Sequence, residues 1–270
     1  PLYKFINRKA ENKYINLYAS GGMIFEKQSY NLLIKEALEA KKLNFYGWKF
    51  RPKTPNNNPS HKQRSMTPPQ FDIKKLIKFS EKLRLEVGKS FHLILDAGCR
   101  ITNFKDAKYL CDALYELNFL FIEEPIKRQK INYLKLKKNT KLKISSGENI
   151  FKYEKFQSWL ESNSLDIYQP DCNVINIFSI IKFNNLLKKF NKEIILHNWF
   201  FPISMYSNFH LCAALEGKNL IEYNIIKEKY RMKMSKNLPN IKNGKLYLNS
   251  KPGSGFVFKE NFITKNEIVL

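Results

Sequence analysis

The sequence lacks the features that mark secreted, membrane-spanning or dinucleotide-binding proteins. Its four cysteines, Cys99, Cys111, Cys172 and Cys212, show no paired spacing, so we interpret them as reduced thiols. No basic and then apolar leader opens the chain, and no apolar run reaches the roughly 18 residues of a membrane helix. No Gly-x-Gly-x-x-Gly motif occurs. From these absences we expect a soluble, cytoplasmic protein with no membrane partner.

Acidic residues are scarce relative to basic ones. There are 24 Asp and Glu against 47 Lys and Arg, which gives a net charge of +23. Such an excess attracts polyanions in a salt-dependent way. The lysines, however, are scattered, and the abundance of Lys, Asn, Ile, Phe and Tyr is typical of AT-rich codons. We therefore expect no specific nucleic-acid partner, and a non-catalytic, basic polyanion-binding barrel is the alternative from another class.

What the sequence does contain is a regular alternation of strand-like and helix-like segments. Eight short apolar or alternating segments predict strands, at residues 14–20, 45–50, 91–98, 119–123, 142–146, 165–168, 193–197 and 219–223. Helical spacing between them predicts helices at 29–43, 71–87, 105–117, 130–138, 153–162, 174–190 and 203–215. Alternation predicts a parallel sheet, and eight units predict an α/β fold of the TIM-like (β/α)7β barrel type over residues 14–225.

Two further segments have their own character. Residues 52–70 are rich in Pro, Asn and Ser and predict a long loop, which in a compact domain is often functional. Asp72 is placed to cap the helix that follows. Residues 226–270 break the alternation, and the stretch KPGSGFVF within them predicts a turn followed by an extended segment.

Ionisable residues stand at or just past the ends of the predicted strands. Lys49 and Arg51 lie two apart on the second strand, so they face the same side. Those that follow the later strands are 23 to 27 residues apart, about one β/α unit, and they are Asp96, Glu123, Glu148, Asp171, His197 and Glu222. Barrel enzymes build their sites at the carboxyl ends of the strands. We therefore expect these six groups to converge on one ring at the barrel mouth.

The order of charges around this ring predicts a metal site beside an acid/base pair. Successive carboxylates raise one another's pKa, and a hard divalent cation removes that conflict. Oxygen ligands favour Mg²⁺, so we assign Asp96, Glu123 and Glu148 as Mg²⁺ ligands. Asp171 beside His197 would fix the tautomer of the imidazole and raise its basicity, which makes His197 a candidate general acid/base.

The remaining candidates support this arrangement. Lys49 and Arg51 are expected to hold a substrate carboxylate or to act on its opposite face. Glu124 is expected to contact Lys49 or the metal site, and Asn198 is assigned a supporting place beside the ring. A single acid at a strand end is more often a helix cap, and a single histidine is more often structural. The joint pattern across six strands is what predicts a functional site.

As an ordered set, nine stretches resemble the enolase superfamily, specifically its mandelate racemase and muconate lactonizing enzyme branch. They are LYASGG, KFR, LDAG, FIEEP, SSGENI, DIYQPD, LHNW, LIEYN and PGSGF. The resemblance implies Mg²⁺-dependent removal of the proton α to a carboxylate through an enediolate. It also implies the three metal ligands above and an Asp171–His197 dyad. Glu222 would hydrogen-bond the substrate carboxylate, and Lys49 would contact it.

Two departures from the family pattern narrow the expected reaction. Racemases of the family carry Lys-x-Lys on the second strand, whereas this chain has Arg51 at the second position, and arginine is a poor base. Gly98 stands where the family usually has the Asn of Asp-x-Asn. We therefore expect a one-base reaction on His197, in a lyase that dehydrates an acid sugar (an aldonate or aldarate) to a 2-keto-3-deoxy acid. A racemase, epimerase or cycloisomerase of the same family is the alternative.

A third departure concerns the N-terminal α+β capping domain of the family, which is missing from this sequence. We expect residues 1–13 to be the tail of a linker from that domain and residues 226–270 to be a segment that would pack on it. Without the loops of the cap the mouth is open to water, which weakens electrostatic catalysis. The chain is then either a fragment or incomplete as an enzyme. Because members of the family are often oligomers, we also expect a homo-oligomer.

Overall fold

The computed structural model describes residues 1–11, 14–22, 29–52, 72–199, 202–217, 219–226 and 234–265. The strands are β1 (Ile15–Gly21), β2 (Gly47–Phe50), β3 (His92–Asp96), β4 (Phe119–Glu123), β5 (Ile144–Ser146), β6 (Ile167–Tyr168), β7 (Glu193–Ile194), β8 (Leu220–Asn224), β9 (Asn240–Lys242) and β10 (Lys245–Tyr247). The first eight confirm the strands that the sequence pattern predicts.

The helices alternate with these strands. They are α1 (Leu2–Ile6), α2 (Tyr30–Lys42), α3 (Ile73–Val87), α4 (Phe104–Glu116), α5 (Lys130–Lys138), α6 (Tyr153–Glu161), α7 (Ile177–Lys189), α8 (Pro202–Ala214) and α9 (Glu260–Lys265). Helices α2 to α8 confirm the helical predictions. The helices of the described part are all too short or too polar to span a bilayer.

Parallel pairing places the strands in the order β8-β1-β2-β3-β4-β5-β6-β7. Asn198, four residues past the end of β7, connects the β7 edge of this sheet to β8 at the other edge. Its Nδ2 donates to the Glu222 backbone carbonyl at 3.0 Å, and its backbone N–H donates to Glu222 Oε2 at 3.1 Å. The result is the predicted TIM-like barrel.

The barrel interior is apolar along the strands and charged at their carboxyl ends. A buried cluster fills the interior and consists of Tyr18, Ile94, Phe121, Ile167, Ile195 and Leu220. Because side chains alternate along a strand, Glu123 lies on the same face of β4 as Phe121, while Ile122 packs among the helices. The apolar interior thus ends where the charged side chains begin, at the carboxyl ends of the strands.

The helix cap predicted at Asp72 is confirmed. Asp72 Oδ1 accepts a hydrogen bond from the backbone N–H of Lys75 at 3.1 Å, which satisfies one of the free amides at the start of α3. The long loop predicted at residues 52–70 lies outside the described residues, apart from Pro52.

A β-hairpin, β9–β10, adds to the sheet beyond the predicted barrel. Its turn is Asn243–Gly244, with φ of 49° and 65°, and β10 pairs antiparallel to β1. Asn-Gly between two strands strongly favours such a turn, so the sequence held a pattern that we did not use. The turn expected at residues 251–254 is confirmed, and Phe258 beyond it forms an antiparallel bridge with Ser235.

The first residues pack on the barrel as helix α1. The Tyr3 ring stacks on His210 of α8 with centroids 5.6 Å apart, and Asn7 Nδ2 donates to the Ala214 carbonyl at 3.0 Å. The backbone N–H of Leu2 donates to the Gly253 carbonyl at 2.7 Å. That residues 1–13 end a linker, and that residues 226–270 contact a capping domain, stay predictions.

Candidate active site

A cleft of about 170 Å³ opens at the carboxyl ends of the strands. Its charged lining consists of Lys49, Arg51, Asp96, Glu148, His197 and Glu222. Glu123 and Asp171 are fully buried and contact lining residues from behind. The structure therefore brings together the eight ionisable side chains that the strand spacing places at the mouth.

Lys49 is a buried cation shared by two carboxylates. Its Nζ lies 2.7 Å from Glu123 Oε2 and 2.7 Å from Glu222 Oε1. Burial opposes its charge, but Glu123 and Glu222 outweigh burial and hold the pKa of Lys49 well above its usual value. Burial likewise opposes the charge of Glu222, yet Lys49 and His197 lower its pKa to about 2. Lys49 is therefore a fixed positive charge and not a base.

Arg51 forms a second ion pair, with Asp96. Arg51 Nε donates to Asp96 Oδ2 at 2.7 Å, and Nη2 contacts the same oxygen. The other oxygen, Oδ1, accepts the backbone N–H of Gly98 at 2.9 Å. A Cβ on Gly98 would lie 3.4 Å from Arg51 Nε. The two departures from the family pattern, Arg51 and Gly98, thus donate to the two oxygens of the same carboxylate.

The Asp171–His197 pair has the geometry of an acid/base dyad. Asp171 Oδ2 lies 2.7 Å from His197 Nδ1. The second oxygen, Oδ1, accepts from the Asn173 backbone N–H at 2.8 Å, from Asn173 Nδ2 at 2.7 Å and from Asn208 Nδ2 at 2.9 Å. Burial would raise the pKa of Asp171, but these donors and His197 lower it. Asp171 is therefore ionised, and since a carboxylate only accepts, Nδ1 of His197 carries a proton.

The other nitrogen of His197 faces acids as well. His197 Nε2 lies 3.2 Å from Glu148 Oε2 and 4.0 Å from Glu222 Oε2. Burial lowers the pKa of His197, but Asp171, Glu222 and Glu148 outweigh burial and raise it to about 9. Burial and the charge of Glu123 raise the pKa of Glu148 to about 7. In this arrangement His197 is an imidazolium at neutral pH, with protons on both nitrogens.

Glu124 takes its hydrogen-bond partners from outside the ring. Its Oε1 accepts from Arg128 Nε at 2.8 Å and from Ser146 Oγ at 3.1 Å, and its Oε2 lies 3.4 Å from Cys99 Sγ. At a φ of 47° its backbone leaves the strand conformation directly after Glu123. Among the described residues these partners hold the carboxylate on the Arg128 side and not at Lys49, and a supporting place for Glu124 beside the metal site stays a prediction.

Two neutral side chains of the site were missed from the sequence. Gln169 Nε2 donates to Glu123 Oε2 at 2.9 Å, and Asn208 on α8 bonds Asp171 as described above. Gln169 directly follows β6 and stands two residues before Asp171, so its place at a strand end is the signal that could have found it. Asn208 is a fully buried amide on α8, and a buried amide in a protein is normally hydrogen-bonded.

The predicted metal ligands are close together but not arranged as a ready site. Among the residues that the structure describes, no three His, Cys, Asp or Glu side chains form a group able to hold a metal ion. Asp96, Glu123 and Glu148 instead take cationic or imidazole partners from the ring. Charged neighbours satisfy the three carboxylates in this arrangement.

The composition of the ring nevertheless fits a divalent cation. Five carboxylates meet three side chains that carry positive charge at neutral pH, Lys49, Arg51 and the His197 imidazolium. Glu123 Oε1 is buried without a hydrogen-bond partner among the described residues. The charge of Glu123 adds to burial in raising the pKa of Asp96 and of Glu148. A cation among the three would relieve this repulsion.

Comparison with known proteins supplies the family. A family model described as "Enolase C-terminal domain-like" matches residues 33–262. The chain belongs to the enolase superfamily. Within it the chain belongs to the mandelate racemase and muconate lactonizing enzyme branch, as the ordered motifs imply.

Among curated relatives, the chain is similar to an arabinonate dehydratase of Saccharolobus solfataricus, with 26% identity over 262 residues. The match covers 96% of this chain and 65% of the dehydratase, so the chain spans somewhat less than two thirds of that relative. Two other curated relatives of this chain are also named as acid-sugar dehydratases, one for D-gluconate and D-galactonate and one for D-gluconate.

Solved structures confirm the fold. The 3,6-anhydro-D-galactonate cycloisomerase of Zobellia galactanivorans aligns with a TM-score of 0.82 at 22% identity, over 97% of this chain and 68% of that one. A racemase of Streptomyces coelicolor, solved with bound magnesium, aligns with a TM-score of 0.80 at 19% identity, over 98% and 66% of the two chains. Magnesium therefore occurs in structural relatives of this barrel.

Proposed function

We propose that the ring is the active site of a Mg²⁺-dependent lyase that removes the α-proton of an acid sugar and dehydrates it to a 2-keto-3-deoxy acid. The observation that carries the proposal is the His197 imidazole, bound by Asp171 at Nδ1 and lining the cleft beside the acids. The names of the curated relatives support the substrate class. Because the chain spans part of those relatives, the proposal concerns the whole protein that contains this barrel.

Three carboxylates would hold the metal: Asp96, Glu123 and Glu148. Bound there, Mg²⁺ would supply positive charge opposite the substrate carboxylate while negative charge develops on it. Lys49 offers a fixed positive charge for the same carboxylate, because its two acidic partners keep it protonated. Glu222, which lies between Lys49 and His197, would donate a hydrogen bond to the substrate carboxylate only after it takes up a proton, because its pKa of about 2 leaves it ionised at neutral pH.

The proton transfers fall to His197. Neutral at Nε2, the imidazole takes the α-proton, and on the same face it hands a proton to the departing β-hydroxyl, which leaves as water. The enol that remains rearranges to the 2-keto-3-deoxy acid. The imidazolium described above is the form that expels the hydroxyl, and its Nε2 proton must leave before the α-proton can be accepted.

The same geometry disfavours a two-base racemase. Such a reaction needs a second base on the far side of the substrate, where β2 supplies Lys49 and Arg51. Arg51 is held by Asp96, which raises its pKa further, and Lys49 is held by two carboxylates. A cycloisomerase needs one base only, and the likeness to the Zobellia cycloisomerase keeps it as the second candidate.

The test uses the full-length protein with Mg²⁺ and a panel of aldonates and aldarates in heavy water. A keto-acid product with loss of water is the expected result. Deuterium at the α carbon without loss of water would support the isomerase instead. Glu148→Ala should abolish Mg²⁺ binding in calorimetry, and an unchanged affinity would refute the ligand assignment. Strong retention on DNA with no metal binding would move the polyanion-binding alternative to first place.

A further inference from the structure

The two oxygens of Glu123 have different surroundings. Oε2 accepts hydrogen bonds from Lys49 Nζ at 2.7 Å and from Gln169 Nε2 at 2.9 Å. Oε1 is buried and has no hydrogen-bond partner in the described part of the chain. A buried carboxylate oxygen without a donor is costly, and such groups in native proteins mark a place for a water or an ion.

The fold fixes the backbone of Gln169 in this position, while its Oε1 is buried without a hydrogen-bond partner among the described residues. Its side chain is fully buried, and its backbone N–H donates to the Ser146 carbonyl of β5 at 3.0 Å. A Cβ on Gly147 would lie 3.0 Å from the Gln169 backbone nitrogen, so the glycine, at a φ of 138°, lets the two strand ends approach. Because a carboxylate only accepts, the amide nitrogen of Gln169 must face Glu123.

Gln169 differs in charge from the other partners of the ring acids. Lys49, Arg51 and His197 bring or can bring positive charge, which competes with a bound cation. Gln169 donates a hydrogen bond with no net charge, so it fixes an oxygen without opposing a metal. With Lys49 on β2 and Gln169 past β6, donors from two directions hold the same oxygen and set the plane of the carboxylate.

We propose that Gln169 is a positioning residue for the Mg²⁺ site: it holds Oε2 of Glu123 so that Oε1 is presented to the cation. The inference rests on the proposed function, since it requires Mg²⁺ at Glu123. Groups that orient metal ligands through hydrogen bonds typically contribute 10- to 100-fold to metal affinity. Gln169 would contribute in that range through its bond to Oε2.

The experiment measures Mg²⁺ affinity by titration calorimetry, with Mg²⁺ alone as the probe and no substrate. Gln169→Met keeps the length and apolar volume of the side chain and removes the amide donor. We expect its affinity for Mg²⁺ to fall about 10- to 100-fold, while the melting temperature of the metal-free protein shifts little. Gln169→Asn, whose amide is one methylene too short, should show the same loss and decides the matter if the methionine variant does not fold.

The matched control is Asn184→Leu. Asn184 is a buried amide on α7 that donates to the Glu216 carbonyl at 3.1 Å, away from the mouth. Its replacement should leave Mg²⁺ affinity unchanged. Unchanged affinity in both Gln169 variants, or an equal loss in Asn184→Leu, overturns the inference. If the wild-type protein itself binds no Mg²⁺, the proposed function fails and the inference falls with it.

Discussion

Two buried histidines in different regions of the barrel show how the surroundings decide a role. His197, at the mouth, has Asp171 at one nitrogen and Glu148 at the other, and its pKa is raised to about 9. His210, on the outer helix α8, has peptide groups at both nitrogens. Its Nδ1 accepts the Tyr3 backbone N–H at 3.3 Å, and its Nε2 lies 3.0 Å from the Ser254 carbonyl.

The partners explain the opposite behaviour. Carboxylates favour the protonated imidazole, whereas a backbone N–H at Nδ1 requires a lone pair there and hence the neutral ring. Burial lowers the pKa of His210 accordingly. A histidine whose partners are carboxylates indicates a ligand site when the same cluster holds a buried acceptor without a donor, as Glu123 Oε1 is among the described residues. Peptide partners at both ring nitrogens indicate a structural joint, by which we mean a buried polar side chain that connects neighbouring elements through hydrogen bonds to their backbones.

The largest effect expected from this comparison is on turnover. His197→Asn should slow α-proton exchange and dehydration by about 10²- to 10⁴-fold, because the general acid/base is removed. Mg²⁺ affinity and the circular dichroism spectrum should stay close to wild type. His210→Asn, at the structural joint, is the matched control and should retain its rate. Similar losses in both variants would show that loosened packing, and not the dyad, limits the reaction.

A second prediction extends the comparison to a buried cation whose hydrogen bonds in the described part of the chain go to peptide carbonyls. Arg84 of α3 is 7% exposed and donates to four backbone carbonyls, those of Gly88, Phe91, Leu117 and Asn118, at 2.6 to 2.9 Å. In contrast with Lys49, its hydrogen bonds go to carbonyls and not to carboxylates. Like His210, Arg84 is therefore a structural joint, and it connects the C-terminal ends of α3 and α4.

Arg84→Met should lower the free energy of unfolding by about 3 kcal/mol, because buried carbonyls lose their donor. Arg84→Lys should recover a part of it, since an ammonium cannot reach carbonyls in several directions. Denaturant unfolding measures both, and Mg²⁺ titration should find wild-type affinity in each. A loss of Mg²⁺ affinity in Arg84→Met would contradict the claim that a structural joint supports the fold without affecting the metal site.

The sequence predicted the barrel and the ring for the same reason. Apolar runs at regular intervals specify strands, and chemistry-bearing residues one β/α unit apart must meet at one edge of a closed sheet. The Asn243–Gly244 turn was also predictable, since both residues tolerate positive φ. The hairpin strands are harder to predict, because each is only three residues long.

Other features depend on contacts that no local pattern contains. Of the two adjacent glutamates, Glu123 enters the ring and Glu124 turns toward Arg128, because the backbone changes to a φ of 47° between them. Positive φ at a non-glycine residue is uncommon, and the residue type at this position does not predict it. The pairing of Arg51 with Asp96 similarly depends on β2 and β3 being neighbours in the sheet.

The smallest predicted effect is a pH dependence of stability at the His210 joint. Its folded pKa lies below the ordinary value of about 6.5, so the unfolded chain binds a proton more readily as the pH falls. The stability from the neutral ring is therefore complete above about pH 6.5 and is lost as the pH falls through the folded pKa. A proton on Nδ1 would face the Tyr3 N–H and break the tie between α1 and α8.

His210→Gln tests this joint, because a glutamine amide can accept from Tyr3 and donate to Ser254 without titrating. Melting temperatures of both proteins at pH 7.5 and pH 5.0 should show a larger drop for wild type than for the variant. Groups at the mouth, such as Asp171 and Glu222, titrate in both proteins, so they cancel in the difference. An equal drop would place the acid sensitivity of the fold in the ring of carboxylates and remove His210 from the account.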